Sequence, residues 1–465
     1  MRLENRPYDT LAPGDSASLR RLITADDLYS FAAVSGNHNP MHLPDEDGDG
    51  DGHPEGVAPG MFIAAMISAV LGTTLPGPGT LYRHQTLNFH ERAEAGDEVD
   101  CTVTVESKGE DRSVTLHVAV TRPADGAQII SGTAVVIAPD RPYASNDIEV
   151  PGLIVQRHRH FDALLDLARP LPALVTAVVA PEEEKSLTGA LLAMRESLIV
   201  PILIGDPAKI RTAAGDASLE GVEIIDEPDH ARAAARAVAL VNEGRAQALM
   251  KGHLHTDDLL RPIVARDGGL RVGQRRLTHV FVMDVPGMPH PLMVTDAAIN
   301  IAPDLKTKVD IVQNAIDLAI SLGHDKPRVG VLSAVETVNP DIQSSIDAAL
   351  LSKMAERGQI TGGYVDGPLA MDNAVDMGAA RTKGLKGNVA GHANVLVVPG
   401  IDAGNMLAKQ LAFISHAEGA GLVLGAKVPV ILNSRSDSSK SRLASCAVAA
   451  LHHARMTGQQ KGDAA

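Results

Sequence analysis

The pattern of apolar and polar residues predicts different structure on either side of residue 140. Before it, residues 22–34 and 59–71 show helical periodicity, and Thr24 with Asp27 forms a capping-box signature. Four strand patterns follow the helices: residues 81–89, 98–108, 113–121 and 128–137. A buried helix followed by an antiparallel meander predicts an α+β domain over residues 1–138.

After an aperiodic stretch, residues 139–154, which we interpret as a linker, short apolar runs alternate with helical patterns. The predicted strands are residues 173–179, 199–204, 247–250, 280–283, 292–294, 329–333, 395–398 and 428–432. The predicted helices are residues 229–242, 306–322, 344–357, 403–418 and 439–455. This alternation is typical of a parallel α/β sheet.

Composition narrows the possible functions. A chain of 465 residues is long enough for two or three domains, and its net charge of −15 argues against nucleic acid or an anionic membrane as partner. No apolar run reaches the roughly 20 residues that a membrane span needs. Two cysteines and an N-terminus without the apolar core of a signal peptide predict a cytoplasmic protein.

An acidic segment, DEDGDGDG at residues 45–52, has the beginning of a calcium-binding loop. The twelfth position of such a loop requires a bidentate Glu, but it is Gly56 or Ala58 in the two possible registers. We therefore expect a solvated loop, and we expect no metal site in the chain.

The segment SGNHNPMHL at residues 35–43, with GVAPGMFIAAMISAVLG and LNFHERAEAGDEV downstream, resembles the MaoC-like (R)-specific enoyl-CoA hydratases of the hot-dog fold. The resemblance covers about residues 8–138 and implies a dimer that binds an acyl-CoA thioester. The family motif, Asp-x-Asn-Pro-x-His, assigns the catalytic His to His42 and a binding role to Asn39. Its Asp is replaced here by Asn37, and an amide cannot serve as a general base. Either an active hydratase or a thioester-binding domain with little hydration is compatible with these residues.

Seven segments of the second region resemble, in order and spacing, the phosphate acetyl/butyryltransferase family. They include MKGHLHTDDLLRPIV, TDAAINIAPDLKTKVDIVQNAI and AKVPVILNSRSDS. The resemblance covers about residues 155–455, and it implies a two-domain α/β module of the isocitrate/isopropylmalate dehydrogenase-like type, commonly dimeric. Subdomain I would comprise residues 155–292 and 433–465, and subdomain II residues 293–432.

The same resemblance implies a reaction between CoA and an acyl phosphate. It assigns Arg435 to the phosphate and Ser434 to the acyl carbonyl, and Arg suits this role because its planar fork fits phosphate oxygens. In the acetyltransferase branch, the Asp that serves as the catalytic base occupies the position that is Ser441 here. That assignment therefore cannot be transferred to this chain. Asp437 is the nearest candidate for the catalytic base, and Asp296 and Glu336 are others. Further substrate-binding candidates at predicted strand ends and in basic segments are Lys251, Arg261, Arg276, Asp296, Asn300, Glu336 and Asn405.

We therefore predict a phosphate acyltransferase fused to an enoyl-CoA hydratase-like domain. Its partners would be acyl-CoA, CoA, acyl phosphate and inorganic phosphate, with CoA as a substrate, no bound cofactor, and a homo-oligomeric state. Two alternatives stay open: hydration as the main activity, or a non-catalytic module that senses acyl-CoA or serves in assembly.

Overall fold

The computed structural model describes residues 3–145, 159–433 and 437–458. The chain forms two compact units, Met1–Val155 and Gln156–Ala465. Most of the predicted linker, residues 146–154, lies outside the described residues. Within the described part of the chain, no helix is long and apolar enough to cross a membrane.

The first unit packs two helices against a five-stranded antiparallel sheet with the strand order β2-β4-β5-β6-β3. Its elements are β1 (Leu3–Glu4), β2 (Ser16–Leu22), α1 (Ala25–Ser35), α2 (Gly60–Thr73), β3 (Leu81–Phe89), β4 (Glu98–Lys108), β5 (Ser113–Arg122), β6 (Ala127–Ile137) and β7 (Ala144–Ser145).

Local sequence accounts for these elements. Thr24 and Asp27 form the predicted capping box at the start of α1, each side chain accepting from the other's backbone N–H. Helix α2 begins after Pro59 and is largely buried, and the alternate apolar residues of β4 point into the same core. The predicted α+β architecture is confirmed.

Three details of the predicted secondary structure in this unit are wrong. Residues 22–24 precede α1, and Leu22 ends β2, an edge strand that pairs with β4 and has no apolar alternation to reveal it. Residues 144–145, expected in the linker, form β7 and pair with β1. Helix α2 continues through Gly72 to Thr73 rather than ending before it.

The second unit contains eleven strands and eleven helices among its described residues. Its helices are α3 (Arg159–Ala168), α4 (Glu184–Arg195), α5 (Pro207–Ala214), α6 (His230–Asn242), α7 (Thr256–Val264), α8 (Leu305–Ser321), α9 (Gln343–Glu356), α10 (Met371–Val375), α11 (Met377–Thr382), α12 (Ile401–Phe413) and α13 (Ser439–Met456). Its strands are β8 (Leu174–Val179), β9 (Ile199–Gly205), β10 (Glu223–Asp226), β11 (Ala248–Lys251), β12 (Thr278–Asp284), β13 (Leu292–Thr295), β14 (Arg328–Leu332), β15 (Tyr364–Leu369), β16 (Val395–Val397), β17 (Glu418–Leu424) and β18 (Val430–Ile431).

These strands form one sheet in the order β10-β9-β8-β11-β18-β17-β12-β13-β16-β14-β15. The prediction of a wholly parallel sheet is wrong, because β17 is antiparallel to β18 and β12 is antiparallel to β17 and β13. The reason is that these strands are buried on both faces of the sheet. Such a strand is a continuous apolar run in the sequence whether it is parallel or antiparallel to its neighbours. In β8, for example, Leu174 and Val178 enter one core cluster, whereas Ala177 and Val179 enter another.

The three antiparallel pairings have a consequence for ligand binding. Strands β8, β9, β11 and β18 are parallel to one another, and their carboxyl ends share one edge of the sheet. Strands β13, β14 and β16 run the opposite way, and their carboxyl ends share the other edge. The unit therefore has two separate edges at which carboxyl-end loops can form a site.

Candidate functional site

The carboxyl edge of β8, β11 and β18 carries several of the predicted acyltransferase residues. Lys251 is the last residue of β11 and is only 6% exposed. Gly252 follows it. A Cβ at this position would lie 2.3 Å from two carbonyl oxygens at the end of β8, so the close approach of these two backbone segments requires glycine. The predicted Ser434 and Arg435 come after β18 and lie outside the described residues.

Asp437, the candidate base, is held by a buried hydrogen-bond network. Asn433 Nδ2 donates to Asp437 Oδ2 at 3.3 Å and to Ser445 Oγ at 2.9 Å. Ser445 Oγ also accepts from the backbone N–H of Gly421, at 3.1 Å. The network therefore ties the segment before α13 to β17.

Asp437 also lines a pocket of about 190 Å³ on the same side of the sheet. Apolar side chains of β12 and α12 form much of its wall, among them Phe281, Met283 and Phe413. Ser441, which stands where the related acetyltransferase branch has its Asp, lines the pocket too. A carboxylate next to an apolar pocket is the arrangement expected where a base meets a substrate with an acyl chain.

Arg442 is a residue of this region that sequence reasoning did not single out. It lies in the first turns of α13 and is only 3% exposed. Burial lowers the pKa of its guanidinium, and the charges of Asp437 and Glu183 oppose that effect. The sequence contains one signal for it, because Arg442 directly precedes the apolar run LASCAVAAL. A charged residue next to such a run is seldom buried without a partner.

Two further carboxylates lie at the same edge, in the loop after β8. Glu183 Oε2 contacts His253 Nδ1 at 3.1 Å. Glu182 is 4% exposed at its side chain and contacts Lys209 Nζ and His230 Nε2, both at 3.2 Å. Burial by itself would raise the pKa of Glu182, but hydrogen bonds, led by that from the backbone N–H of Asp206, keep it below its ordinary value.

The predicted pair Asp296 and Asn300 lies elsewhere, directly after β13. Asp296 is 2% exposed, and its Oδ1 accepts from the backbone N–H groups of Ala298 and Ile299, both at 3.0 Å. Asn300 Nδ2 donates to Asp296 Oδ2 at 2.6 Å and to the carbonyl oxygen of Leu277 at 2.9 Å. Both side chains thus stabilise the turn that follows β13, and Asn300 also links this turn to the residue before β12.

Two other candidates lie near the second edge of the sheet, at the carboxyl ends of β13, β14 and β16. Glu336, after β14, forms an ion pair with Lys383 at 3.1 Å. Hydrogen bonds to its carboxylate, from its own backbone and from Lys383, lower the pKa of Glu336. Asn405 is exposed on α12, and its Nδ2 is 3.5 Å from the carbonyl oxygen of Ala297.

The two remaining basic candidates are exposed to solvent. Arg261 on α7 lies 3.8 Å from Asp258, one turn earlier on the same helix. Arg276 precedes β12, and its backbone N–H donates to Asp310 Oδ2 at 3.2 Å. Neither position brings the guanidinium to a described pocket together with Asp437.

The predicted residues therefore form two groups at opposite ends of β12. Asp437 shares its pocket with Met283 near the carboxyl end of that strand, whereas Asn300 bonds Leu277 just before its first residue. The structure brings Lys251, Asp437 and the missed Arg442 to one edge. It places Asp296, Asn300 and Glu336 away from that edge.

In the first unit, His42 lies in a short 3₁₀ turn, Pro40–His42, where Asn39 is the N-cap. His42 Nδ1 is 2.8 Å from the carbonyl oxygen of Val57. Since a carbonyl oxygen only accepts, Nδ1 carries the ring hydrogen and Nε2 is left unprotonated in the neutral ring. The local fold thus presents the tautomer that a general base requires.

The motif's other two polar residues hold the turn in shape. Asn37 Oδ1 accepts from the backbone N–H of Asn39, and Asn39 Oδ1 accepts from that of Met41, both at 3.3 Å. Asn37 and Asn39 are therefore engaged with backbone groups. His42, in contrast, lines a pocket that neither of them lines.

The pocket at His42 has a volume of about 420 Å³ and mostly apolar walls, formed by residues such as Met61 and Phe89. Gly60, Met61 and Ile63 line it at the N-terminus of α2, where no side chain caps the helix. A Cβ at Gly60 would lie 2.7 Å from the Phe89 ring, so this close contact requires glycine. Helix N–H groups beside a basic imidazole suit a thioester carbonyl.

The acidic loop of the first unit gathers its carboxylates. Four of them have oxygens within 4.8 Å of one another: Asp47, Asp49, Asp51 and Glu55. The backbone N–H groups of Gly52 and Gly50 lower the pKa of Asp47 by donating to it. Three of the four residues are exposed, and tight turns within the loop account for their approach.

Both units are similar to known proteins. Residues 12–127 match the family model of the MaoC like domain, and residues 228–450 match that of the phosphate acetyl/butaryl transferases. The chain is 57% identical over 302 residues to a phosphate acetyltransferase of Rhizobium meliloti, covering 64% of this chain and 95% of the relative.

Two further relatives match the same region. A phosphate butyryltransferase of Clostridium beijerinckii is 41% identical over 299 residues, covering 64% of this chain and 99% of its own. The crystal structure of a branched-chain phosphotransacylase from Enterococcus faecalis has a TM-score of 0.54 and 32% identity, covering 60% of this chain and 99% of that one. The chain carries a MaoC-like domain at its N-terminal end, and it belongs to the phosphate acetyl/butyryltransferase family.

Proposed function

We propose that the second unit transfers a short acyl group between CoA and inorganic phosphate. The observation that carries this proposal is the extended identity with the Rhizobium meliloti phosphate acetyltransferase, which spans nearly the whole of that relative. The charged, partly buried edge of β8, β11 and β18 supports it, because acyl transfer to phosphate needs cations and a proton acceptor at one place.

The reaction exchanges one bond to the acyl carbon for another. In the direction of CoA release, a phosphate oxygen attacks the thioester carbonyl carbon, the C–S bond breaks, and the sulfur leaves as CoA thiolate and takes up a proton. In reverse, the thiol loses that proton before attack, since the thiolate is the nucleophile and a free thiol titrates near about 8.5. Both directions pass through a tetrahedral oxyanion that hydrogen-bond donors stabilise.

We assign the steps of this reaction to four residues. Arg435 would hold the phosphoryl oxygens and Ser434 would donate to the oxyanion. Asp437, which lines the pocket next to α13, would exchange the thiol proton. Lys251, buried at the end of β11, would add positive charge for the phosphate or for CoA.

Phosphate-dependent release of CoA from acetyl-CoA or butyryl-CoA tests the proposal. The wild-type chain should release thiol only when phosphate is present, and Arg435→Ala should slow that release by about 100-fold or more, as expected when a positioned charge is lost. Arg211→Ala on the exposed face of α5 is the matched control and should leave the rate unchanged. Calorimetric CoA binding without any acyl exchange would favour a sensor instead.

A second activity, hydration of a 2-enoyl-CoA, is proposed for the first unit. The observation that favours it is the hydrogen bond from His42 Nδ1 to Val57, which leaves Nε2 as the base in an apolar pocket. Because Asn37 cannot accept a proton, we expect the activity to be weak.

Loss of the enoyl absorbance of crotonyl-CoA measures that hydration directly. Asn37→Asp supplies a second acid/base group and should raise the rate by about 10²–10⁴-fold. His42→Ala in the same background should abolish the gain. Hydration by the Asn37→Asp protein that persists after His42→Ala would contradict a hydratase site at His42.

We also propose the architecture of the second unit, its use of cofactors, the location of the protein and its oligomeric state. The second unit would have the isocitrate/isopropylmalate dehydrogenase-like architecture, divided near residues 292 and 433, with CoA as a substrate and no bound cofactor. A cytoplasmic location is supported by two cysteines that are both free and buried. A homo-oligomer is supported by the edge strand β3, which exposes Leu81, Tyr82 and Phe89.

A further inference from the structure

Arg442 occupies a position that its packing makes rigid. Its side chain lies across α4 at Gly189, where a Cβ would come within 2.5 Å of Arg442 Cδ and 2.9 Å of Arg442 Cβ. Helix α4 thus lacks a side chain at this place, and the stem of Arg442 fills the space. Because the residue is 3% exposed, its charge stays inside the protein.

A buried cation of this kind needs compensation by nearby carboxylates, since removing a charge from water costs several kcal/mol. The carboxylates that act on the guanidinium are Asp437, which precedes α13, and Glu183, which precedes α4. Glu183 is also in contact with His253. Asp437 is the member of this group that lines a pocket.

Asp437 therefore has a buried guanidinium among its neighbours and a pocket next to it. The other charged groups that line this pocket are Lys409 of α12 and Glu418 of β17, which have opposite signs. Asn433 donates to the carboxylate from the β18 side. Arg442 is thus a fixed positive charge acting on Asp437 from within the protein.

We propose that Arg442 is a positioning residue for acyl transfer, which holds the Asp437 carboxylate ionised and aimed at the pocket so that it can exchange the CoA thiol proton. This inference rests on the proposed acyl transfer. The related acetyltransferase branch has its Asp at the position of Ser441, and here Asp437 and Arg442 together would replace it.

Steady-state phosphorolysis of acetyl-CoA as a function of pH tests this role. Arg442→Met should lower kcat by about tenfold or more and leave the KM for acetyl-CoA nearly unchanged. Its acidic limb should move to higher pH, because loss of a nearby cation raises the pKa of a carboxylate. Arg442→Lys keeps the charge and should recover most of kcat and the wild-type pH profile.

Two further variants keep the inference falsifiable if Arg442→Met folds poorly. Asp437→Asn should lose at least as much activity, and adding Arg442→Met to it should cost little more, since both changes remove one function. The matched control is Lys308→Met with Asp347→Leu, which removes another buried cation with its partner and should leave the pH profile unchanged.

Three results would overturn the inference. One is an Arg442→Met enzyme with the wild-type rate and profile, and another is an Asp437→Asn enzyme that stays active. The third is a loss of rate in Arg442→Met and Arg442→Lys alike that follows their melting temperatures while the pH profile stays fixed. A wild-type chain without phosphate-dependent turnover would instead overturn the proposed acyl transfer itself.

Discussion

At the scale of single residues, burial sets the protonation state of several side chains. It raises the pKa of the Cys101 and Cys446 thiols to about 12, so both remain protonated and act as small apolar groups. It lowers the pKa of His279 and His452 to about 4. His452 Nδ1 lies 3.0 Å from Ser321 Oγ, and that hydroxyl in turn donates to a carbonyl of its own helix.

These two histidines predict acid sensitivity of the second unit. The pKa of a His in the unfolded chain is about 6.5. Between that pH and pH 4, both histidines become protonated in the unfolded chain but stay neutral in the folded chain. Stability should therefore fall as the pH is lowered through this window, by up to about 1.4 kcal/mol per pH unit for each histidine. Denaturant unfolding at pH 7, 6, 5 and 4.5 measures the slope.

A substitution at His452 separates its share of this effect. His452→Gln keeps a hydrogen-bond donor for Ser321 but cannot gain a proton, so its stability should depend less on pH than that of the wild type. Equal pH dependence in the two proteins would show that His452 does not contribute.

The candidate-site residues were predictable where a motif names them and not where only packing defines them. Lys251 and Asp437 lie at one edge of the sheet, as their positions after predicted strands indicated. The apolar run after Arg442 was the one sequence signal for its burial, and the packing that buries it involves Gly189, which is 253 residues earlier in the chain. No pattern along the chain encodes a contact of that range.

At the scale of elements, a buried ion pair joins α8 to α9. Lys308 Nζ is 2.7 Å from Asp347 Oδ2, and both side chains are less than a tenth exposed. Gln343 Nε2 donates to the other carboxylate oxygen at 2.8 Å. The pair therefore leaves neither charge alone in the core.

Removing one partner should cost far more stability than removing both. Lys308→Met leaves a buried carboxylate uncompensated and should destabilise the protein by about 3–5 kcal/mol, whereas Lys308→Met with Asp347→Leu should be close to neutral. Urea unfolding of the wild type and the two variants measures the difference. A double variant as unstable as the single one would contradict this explanation.

Apolar periodicity predicted those elements that bury one regular face. The alternation in β4 and the apolar helix α2 are examples. It did not predict β2 or β10, whose side chains are mostly exposed or half-buried, and it extended the helix α12 to Glu418, where β17 begins. Strand β17 contains two glycines and one alanine among its first four residues, and these residue types are uncommon in strands.

At the scale of the whole molecule, strand direction decides which predicted residues can act together. Motif matches supplied both the group at Asp437 and the group at Asp296, but their separation depends on the antiparallel strands β12 and β17. A buried apolar run carries no information on direction, so the sequence alone did not show that the two groups lie at opposite edges of the sheet.

The activities proposed for the two units would use related substrates. A thioester would bind at His42 in the first unit, and the acyl group would pass between CoA and phosphate in the second. Acyl transfer to phosphate must be distinguished from simple thioester hydrolysis, which also releases CoA.

Phosphorus NMR of the full chain with acetyl-CoA and inorganic phosphate makes that distinction most directly. We expect an acyl phosphate resonance that grows in step with free CoA and that declines again when CoA is added in excess. Release of CoA without acyl phosphate, or no turnover at all, would contradict it.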